Sequence, residues 1–317
     1  MQKTSFPYVT MVVDDASTDG EQQVIKQFLE REFDLNDKQT AYEKEEEYAD
    51  IIFAQHSTNK NCFIVVLLLK YNHYQIKKNK LPYLTEWSEA SKYEALCEGD
   101  DYWIDPLKLQ KQVDFLEANP DHAMVCTYAQ KYTQSKAKFG DIIGDASNCD
   151  LAKILDSNPI CTLTVMMRRD ILNRYLDDVQ PQTRGWRLGD SPMWLYFAAE
   201  SKIGFIPDVT AVYRILAESA SHSRSYDKTI AFLRSAVDVD LFFAERYAPE
   251  LIEVVEKGAA RDELFLSYRT GNFAAVVECY KRIIDKGYIY APKTMRKIGR
   301  KVLKSRIKLW CSRIMGR

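Results

Sequence analysis

Two groups of acidic residues follow predicted strands. Asp14-Asp15 comes after the strand predicted over Tyr8–Val13, and Glu98-Gly-Asp-Asp101 follows the strand predicted over Tyr93–Cys97. Closely spaced carboxylates repel one another unless a positive charge lies between them, and a hard divalent cation with oxygen ligands meets that need. Such an ion would in turn hold a diphosphate. The alternative is structural: Asp14 and Asp19 cap the next helix, and Asp100-Asp101 form a turn.

Several other kinds of site are excluded by missing motifs. The chain contains no G-x-x-x-x-G-K-[ST] loop and no G-x-G-x-x-G turn, and neither H-E-x-x-H nor G-x-S-x-G occurs. P-loop enzymes, simple Rossmann dehydrogenases, zincins and nucleophile-elbow hydrolases are therefore not leading interpretations.

The elements that must position these residues predict an α/β fold. Strand, helix and strand alternate through residue 130, which indicates a mostly parallel sheet flanked by helices. Phe63–Leu69 is predicted to be a strand buried on both faces, and a helix is predicted from Asp105 to Asn119-Pro120. After Ser225 the pattern is helical. We expect a catalytic domain over residues 1–225, a helical extension over 226–292 and a basic tail over 293–317.

Composition indicates a soluble globular protein of the cytoplasm. The 317 residues are 46% apolar and 28% charged, and the seven cysteines include no C-x-x-C pair, which suits a reducing compartment. The net charge of −1 is uneven, because residues 293–317 hold ten Lys or Arg and no Asp or Glu. Residues 1–292 therefore carry a net charge of −11, which argues against nucleic acid as a partner.

The basic tail is predicted to form an amphipathic helix. Leu303, Ile307, Trp310 and Ile314 fall at helical spacing among Lys and Arg residues. One interpretation is peripheral contact with an anionic membrane at the inner face of the cell membrane, where a lipid-linked acceptor would be found. The other is that this apolar stripe packs on the domain while the charges face water.

Three segments together resemble a known family. Val12-Val-Asp-Asp-Ala-Ser-Thr-Asp-Gly20 resembles the V-V-D-D-G-S-T-D-G signature of inverting glycosyltransferases of family 2, which have the GT-A fold. The segment from Glu98 to Gln112 is similar to that family's D-x-D segment and following helix, and Gly189-Asp190 lies where the family has its catalytic base. The resemblance covers roughly residues 1–225 and implies transfer of a sugar from a nucleotide donor, with UDP-sugars favoured, to a hydroxyl of a glycan or lipid-linked acceptor.

The resemblance also implies roles for individual residues. Asp15 is expected to bind the nucleotide base, and Asp190 to act as the base that takes the acceptor proton. Among Glu98, Asp100 and Asp101, one carboxylate is expected to meet the ribose and another the Mn²⁺ or Mg²⁺ ion; Asp100 is favoured for the metal, with Asp101 second.

Further candidates lie in loops. His222 is the candidate third metal ligand, since neutral imidazole suits Mn²⁺. Lys77, Lys78 and Lys80, in the loop after the buried strand, are candidate phosphate ligands, with Lys78 favoured. For each of these residues the alternative is an ordinary solvated side chain.

Family members begin with a strand that ends in a P-x-Y-N type turn and continues into a helix, ahead of the segment resembling Tyr8–Gly20. We expect this strand to be missing here, with loss of one wall of the nucleotide pocket and weak or absent activity. Two alternatives remain open: a non-catalytic, truncated or degenerate glycosyltransferase-like binding protein, and a sugar nucleotidyltransferase, which shares an α/β core and acidic metal ligands.

Overall fold

The computed structural model describes residues 1–216 and 226–314. The chain separates into two units, the first comprising Met1–Ala95 with Asp105–Asp114 and the second comprising Leu96–Ile104 with Phe115–Arg317. The candidate His222 lies in the segment 217–225, outside the described residues.

The first unit contains a four-stranded sheet, two helices and a short strand, β5 (Tyr93–Ala95), outside that sheet. Its elements are β1 (Tyr8–Asp14), α1 (Glu21–Glu32), β2 (Tyr42–Glu45), β3 (Ala49–Gln55), β4 (Cys62–Leu69), α2 (Leu81–Glu89) and β5 (Tyr93–Ala95). The strand order is β1-β4-β3-β2. β1 runs parallel to β4 over its whole length, from Tyr8 opposite Cys62 to Asp14 opposite Leu68, whereas β3 is antiparallel to both β4 and β2.

The predicted burial of β4 on both faces is confirmed. Ile64, Val66 and Leu68 pack in a core with Leu29 of α1, whereas Val65 and Leu67 pack in a second core on the opposite face. Tyr83 and Trp87 of α2 cover that second core. Because side chains alternate along a strand, a continuous apolar run such as β4 requires helices on both sides.

The helix predicted from Asp105 is present but begins later. α3 spans Lys108–Ala118 and ends immediately before Asn119-Pro120, as predicted. Asp105 accepts a hydrogen bond of 2.8 Å from the backbone N–H of Leu107, so it organises the turn that precedes the helix. The side chain of Gln2 accepts a further hydrogen bond of 3.0 Å from the N–H of Leu109. These contacts satisfy N–H groups that a helix start leaves without intrahelical partners.

The second unit contains the remaining strands and most of the helices. Its elements are β6 (Tyr102–Trp103), β7 (His122–Thr133), β8 (Lys138–Ile143), α4 (Leu151–Ser157), β9 (Met166–Arg168), α5 (Arg169–Val179), α6 (Ser191–Glu200), β10 (Lys202–Ile215), α7 (Tyr226–Tyr247), α8 (Ile252–Arg269), α9 (Phe273–Asp285) and α10 (Pro292–Ile314). β10 runs parallel to β7 and antiparallel to β6, and both β8 and β9 are antiparallel to β7.

The core of this unit holds α6 in place. Trp194, Leu195 and Phe197 of α6 are fully buried and share a core with Val239 and Phe243 of α7. The burial of these side chains fixes the position of α6, at whose start Asp190 lies.

The C-terminal helices form a separate core within the second unit. Ala260 and Leu264 of α8, Val276 and Ile283 of α9, and Ile298 of α10 are buried together. This arrangement agrees with the helical pattern predicted after Ser225. Among the described residues, no helix combines the length and the apolar character needed to cross a membrane.

The α/β fold class is confirmed, whereas the prediction of a mostly parallel sheet is wrong. Both sheets are mixed: the β1–β4 and β7–β10 pairs are parallel, whereas β3 is antiparallel to β2 and β4, β8 and β9 are antiparallel to β7, and β6 is antiparallel to β10. Short connections explain the difference, because the six residues between β3 and β4 and the turn over Gln134–Lys136 between β7 and β8 each join neighbouring antiparallel strands. β10 is one continuous strand whose register with β7 is irregular between Ile206 and Ala211.

Candidate functional site

The loop after β1 is organised by Asp14. This residue is buried, and its carboxylate accepts hydrogen bonds from the side chain of Gln22 at 2.5 Å and from the backbone N–H of Ser17 at 3.2 Å. The backbone of Ala16 has a φ of 60°, so the chain turns sharply between these partners. Asp14 is therefore a structural residue that joins the loop to α1.

The carboxylate of Asp15 is held by the loop that follows β4. It accepts hydrogen bonds from the backbone N–H of His73 at 2.7 Å and of Tyr74 at 3.3 Å. Lys80 forms an ion pair with it at 2.6 Å, and the side chain of Asn72 donates to the Asp15 carbonyl oxygen at 3.2 Å. The parallel β1–β4 pairing explains this contact, because two adjacent parallel strands end at the same edge of a sheet.

The electrostatics of Asp15 favour its charged form. Partial burial acts to raise the pKa of its carboxyl, but hydrogen bonds from Lys80 and from the N–H groups of His73 and Tyr74 outweigh burial and lower the pKa below its ordinary value. The Asp15 side chain is 22% exposed. An anionic acceptor is thus available at the end of β1, next to a lysine.

The predicted phosphate ligand Lys78 has another partner. Its ammonium group lies over the ring of Tyr48, in a cation–π contact. Lys80, two residues later, is the lysine of this loop that contacts Asp15. The sequence does not distinguish the lysines of this loop, because their different partners, Tyr48 and Asp15, are set by the fold.

In the second unit, strand pairing brings Asp100 and Asp101 next to Arg214. Tyr102 and Trp103 of β6 pair antiparallel with Val212 and Ala211 of β10, so the residues before β6 lie beside the end of β10. The backbone N–H of Arg214 donates to the Asp101 carboxylate at 2.8 Å, and its guanidinium donates to the Asp100 carbonyl oxygen.

Asp190 lies at the start of α6 and contacts Thr162. Its carboxylate accepts hydrogen bonds from the N–H of Ser191 at 2.7 Å and from the hydroxyl of Thr162 at 2.8 Å. Asp190 is therefore also the N-cap of α6. Thr162 also acts to lower the pKa of the Glu98 carboxyl, against the raising effect of burial.

The structure thus brings Glu98, Asp101 and Asp190 into one electrostatic cluster. Loss of solvation raises the pKa of the Glu98 carboxyl, although the residue as a whole is exposed, and the negative charges of Asp101 and Asp190 raise it further. Burial likewise raises the pKa of Asp101, and the neighbouring Asp100 adds to the effect despite the opposing contact with Arg214. We call Glu98, Asp100, Asp101 and Asp190 the acidic cluster.

The acidic cluster has the donor chemistry of a hard divalent cation. Its ligand atoms are carboxylate oxygens. Burial is the main cause of the raised pKa values of Glu98 and Asp101, and the repulsion between carboxylates that adds to it is what a bound cation would relieve. Within residues 1–216 and 226–314, no group of three His, Cys, Asp or Glu side chains has the geometry of a complete metal site. The predicted third ligand, His222, lies outside this part of the chain.

Two residues of the site were not predicted from the sequence. Thr162 contacts Asp190 across 28 positions, and Arg214 contacts Asp101 across 113 positions. Neither contact has a local signal, because Thr162 lies in a short 3-10 turn and Arg214 becomes adjacent to Asp101 only through the pairing of β6 with β10.

Comparison with known proteins identifies relatives without assigning an activity. No protein-family model matches the chain. The chain is 27% identical over 231 residues to Uncharacterized protein Mb1547 of Mycobacterium bovis, and equally to Uncharacterized protein Rv1520 of Mycobacterium tuberculosis. Each match covers 72% of this chain and 56% of the mycobacterial protein. The chain therefore spans about half the length of the curated relatives it matches.

Proposed function

We propose that the chain is an inverting, metal-dependent glycosyltransferase related to family 2. It transfers a sugar from a nucleotide donor, most favourably UDP-linked, to a hydroxyl of a glycan or lipid-linked acceptor. The observation that carries the proposal is the acidic cluster. Glu98 and Asp190 belong to separate motifs of the resemblance, yet Thr162 donates a hydrogen bond to Asp190 and also influences the pKa of Glu98. Burial raises the pKa of Glu98, and the charges of Asp101 and Asp190 add to that effect.

The first unit supports a nucleotide site at one edge of its sheet. β1 and β4 run parallel, so the loops that follow them lie at the same edge. The loop after β4 donates two backbone N–H groups to the Asp15 carboxylate. The missing strand ahead of the Tyr8–Gly20 segment stays a prediction.

Asp15 and Lys80 are the proposed nucleotide ligands of the first unit. Asp15 accepts hydrogen bonds from the base, and its carboxylate is oriented by the N–H groups of His73 and Tyr74. Lys80 contacts the same carboxylate and adds a positive charge beside it, which suits an anionic ligand. We propose Lys80 in place of Lys78 as the phosphate contact of this loop, since Lys78 lies over the Tyr48 ring.

Asp190 is the proposed general base. Its carboxylate takes the proton of the acceptor hydroxyl while that oxygen attacks the anomeric carbon of the donor sugar. The new carbon–oxygen bond forms on the face opposite to the leaving group, so configuration at the anomeric carbon inverts. The bond to the diphosphate oxygen breaks, and its electron pair leaves with the nucleoside diphosphate. Hydrogen bonds from Thr162 and Ser191 hold the carboxylate in one orientation throughout.

Asp100 and Asp101 are the proposed holders of a Mn²⁺ or Mg²⁺ ion. A bound divalent ion stabilises the negative charge of a departing diphosphate as a Lewis acid. Asp100 remains the favoured ligand, because the backbone N–H of Arg214 already occupies one carboxylate oxygen of Asp101. Glu98 is the candidate ribose contact.

One observation favours the non-catalytic alternative. The Asp15 carboxylate already has three donors, and a nucleotide base must share or replace one of them. A protein that had lost nucleotide binding could keep these contacts as structure. Calorimetry separates the two functions: the glycosyltransferase proposal expects heat of binding when UDP is added to the chain with Mn²⁺, and the absence of binding by any nucleoside diphosphate would reject it.

A further inference from the structure

Helix α10 has two apolar faces, of which one is packed and one is exposed. Ile298, Val302 and Ser305 are buried, and the first two belong to the core shared with α8 and α9. These positions recur at helical spacing and define the packed face. The tail is thus anchored to the second unit through residues other than the stripe predicted from the sequence.

The predicted stripe lies on the other face. Leu303, Ile307 and Trp310 are 61%, 51% and 64% exposed. At about 100° per residue, these three positions fall within about 60° of one another and about 140° from the packed face. We call Leu303, Ile307 and Trp310 the outer stripe. An exposed set of large apolar side chains on one helix face indicates an interaction surface.

Cations surround the outer stripe. Arg296, Arg300, Lys304 and Arg306 are exposed, and residues 293–317 contain no acidic residue. By helical position, Arg296 continues the outer stripe toward the start of α10, while Arg300 and Arg306 flank it on opposite sides. Lys301 instead lies over the ring of Tyr268, on the packed side. The cations around the stripe are therefore available to a partner that is both anionic and apolar.

We propose that the outer stripe and its cations dock the protein onto the surface of an anionic lipid bilayer. An interfacial helix buries its apolar side chains to a depth of about 5–10 Å while Lys and Arg contact the headgroups. Trp310 suits the boundary because its ring is apolar and its N–H can hydrogen-bond. A second copy of the chain is a poorer partner, since its α10 carries the same positive charge. Nucleic acid matches the charge but offers no apolar layer for Leu303 and Ile307.

Docking of α10 onto a membrane does not depend on sugar transfer. It requires only the contacts of α10 within the second unit, so docking and catalysis can succeed or fail separately. Were both present, the protein would act on substrates held at a membrane surface.

The test is binding of the full chain to vesicles. We expect co-sedimentation with vesicles of phosphatidylglycerol and phosphatidylcholine, little with phosphatidylcholine alone, and weakening as salt is raised. Leu303→Ser/Ile307→Ser/Trp310→Ser and Arg296→Gln/Arg300→Gln/Lys304→Gln should each lower the bound fraction at least tenfold. The matched control, Phe139→Ser/Ile142→Ser, removes two exposed apolar side chains of β8 and should bind as the parent does.

A second readout makes the result specific to the stripe. Trp310 emission should shift to shorter wavelength on vesicle binding and be quenched by brominated lipid, and Trp310→Phe should remove this response. Because the substituted side chains are exposed, circular dichroism melts should match the parent. Unchanged vesicle binding by the stripe variant would overturn the proposal. Failure to bind anionic vesicles, together with self-association in ultracentrifugation that the stripe variant abolishes, would also overturn it and identify a second copy as the partner.

Discussion

The hydroxyl of Thr162 donates a hydrogen bond of 2.8 Å to the carboxylate of Asp190, and the N–H of Ser191 donates another of 2.7 Å. Asp190 is thus both the cap of a buried helix and a member of the acidic cluster. A carboxylate fixed from two sides keeps its orientation when a substrate arrives, which a general base requires. This double role makes it possible to separate chemistry from stability by substitution.

Asp190→Asn should abolish transfer while leaving the fold intact. Asparagine caps helices about as well as aspartate, so α6 remains capped, but an amide cannot take a proton. We expect the turnover rate to fall about 10²- to 10⁴-fold, with UDP affinity unchanged. Steady-state kinetics and calorimetry on the same preparations measure the two quantities.

The matched control for Asp190 is Asp150, which caps α4 by accepting from the N–H of Lys153 at 2.8 Å. Asp150→Asn makes the same chemical change at a cap outside the acidic cluster. It should keep the parent turnover rate. Equal losses in both variants would mean that Asp190 acts through helix capping alone.

Thr162 is a positioning residue, and its hydroxyl should matter more than its methyl group. Thr162→Val removes the donor to Asp190 with little change in volume, and we expect about a tenfold lower turnover rate with a similar Michaelis constant for the donor sugar. Thr162→Ser keeps the hydroxyl and should restore most of the rate. If serine and valine variants were equally slow, side-chain packing would explain the effect and the hydrogen bond would not.

Metal binding should depend on Asp100 and Asp101 and on pH. Asp100→Asn and Asp101→Asn should each weaken Mn²⁺ binding by about tenfold or more, measured by electron paramagnetic resonance of the free ion, since each removes a charged oxygen ligand. Asp141→Asn, on exposed β8, is the control and should bind Mn²⁺ as the parent does. Parent-like affinity in both cluster variants would contradict the assignment.

Protonation of Glu98 and Asp101 should compete with Mn²⁺ binding at a higher pH than protonation of ordinary carboxyls would. The folded-state pKa values of Glu98 and Asp101 are raised above 4.5 and 3.8, so these carboxyls protonate earlier than isolated ones as pH falls. Mn²⁺ affinity should therefore begin to drop above those ordinary values. Ionising these two groups lowers the free energy of unfolding. By linkage, this loss is absent below pH 3.8 and increases as pH rises through the raised pKa values. A bound Mn²⁺ ion offsets the loss, so it should stabilise the protein most at neutral pH.

The Asp15–Lys80 pair should contribute modestly to stability. A double-mutant cycle of Asp15→Asn and Lys80→Gln, followed by urea unfolding, should give a coupling free energy of about 1 kcal/mol or less, because solvent screens the partly exposed pair. The folded-state pKa of Asp15 is lowered, so its contribution is present above the ordinary value of 3.8 and is lost as pH falls through the lowered pKa. A coupling that persists unchanged below that range would contradict the ion pair.

The sequence was sufficient for elements with strong local patterns. The apolar run of β4, the turn after β1 and the start of α6 at Asp190 all follow from residue type and spacing. The directions of the strands were not predictable in the same way. β3 and β8 have no strong pattern of their own, and each is specified by pairing with a neighbour whose partners become known only in three dimensions.

The site shows the same limit. The acidic residues were found from the sequence because carboxylates at strand ends are visible as motifs. Their partners were not, because Thr162 and Arg214 gain their roles from contacts that span 28 and 113 positions. The helical spacing of the outer stripe was visible in the sequence. Whether the stripe packs or stays exposed could not be predicted, because Ile298 and Val302 of the same helix fill the core with α8 and α9 instead.

The central claim is tested most directly by release of nucleoside diphosphate from a panel of UDP-, GDP- and dTDP-sugars with Mn²⁺. We predict release from at least one UDP-sugar, dependence on the ion, loss in Asp190→Asn and retention in Asp150→Asn. No release from any donor, or release that Asp190→Asn leaves unchanged, would contradict the account.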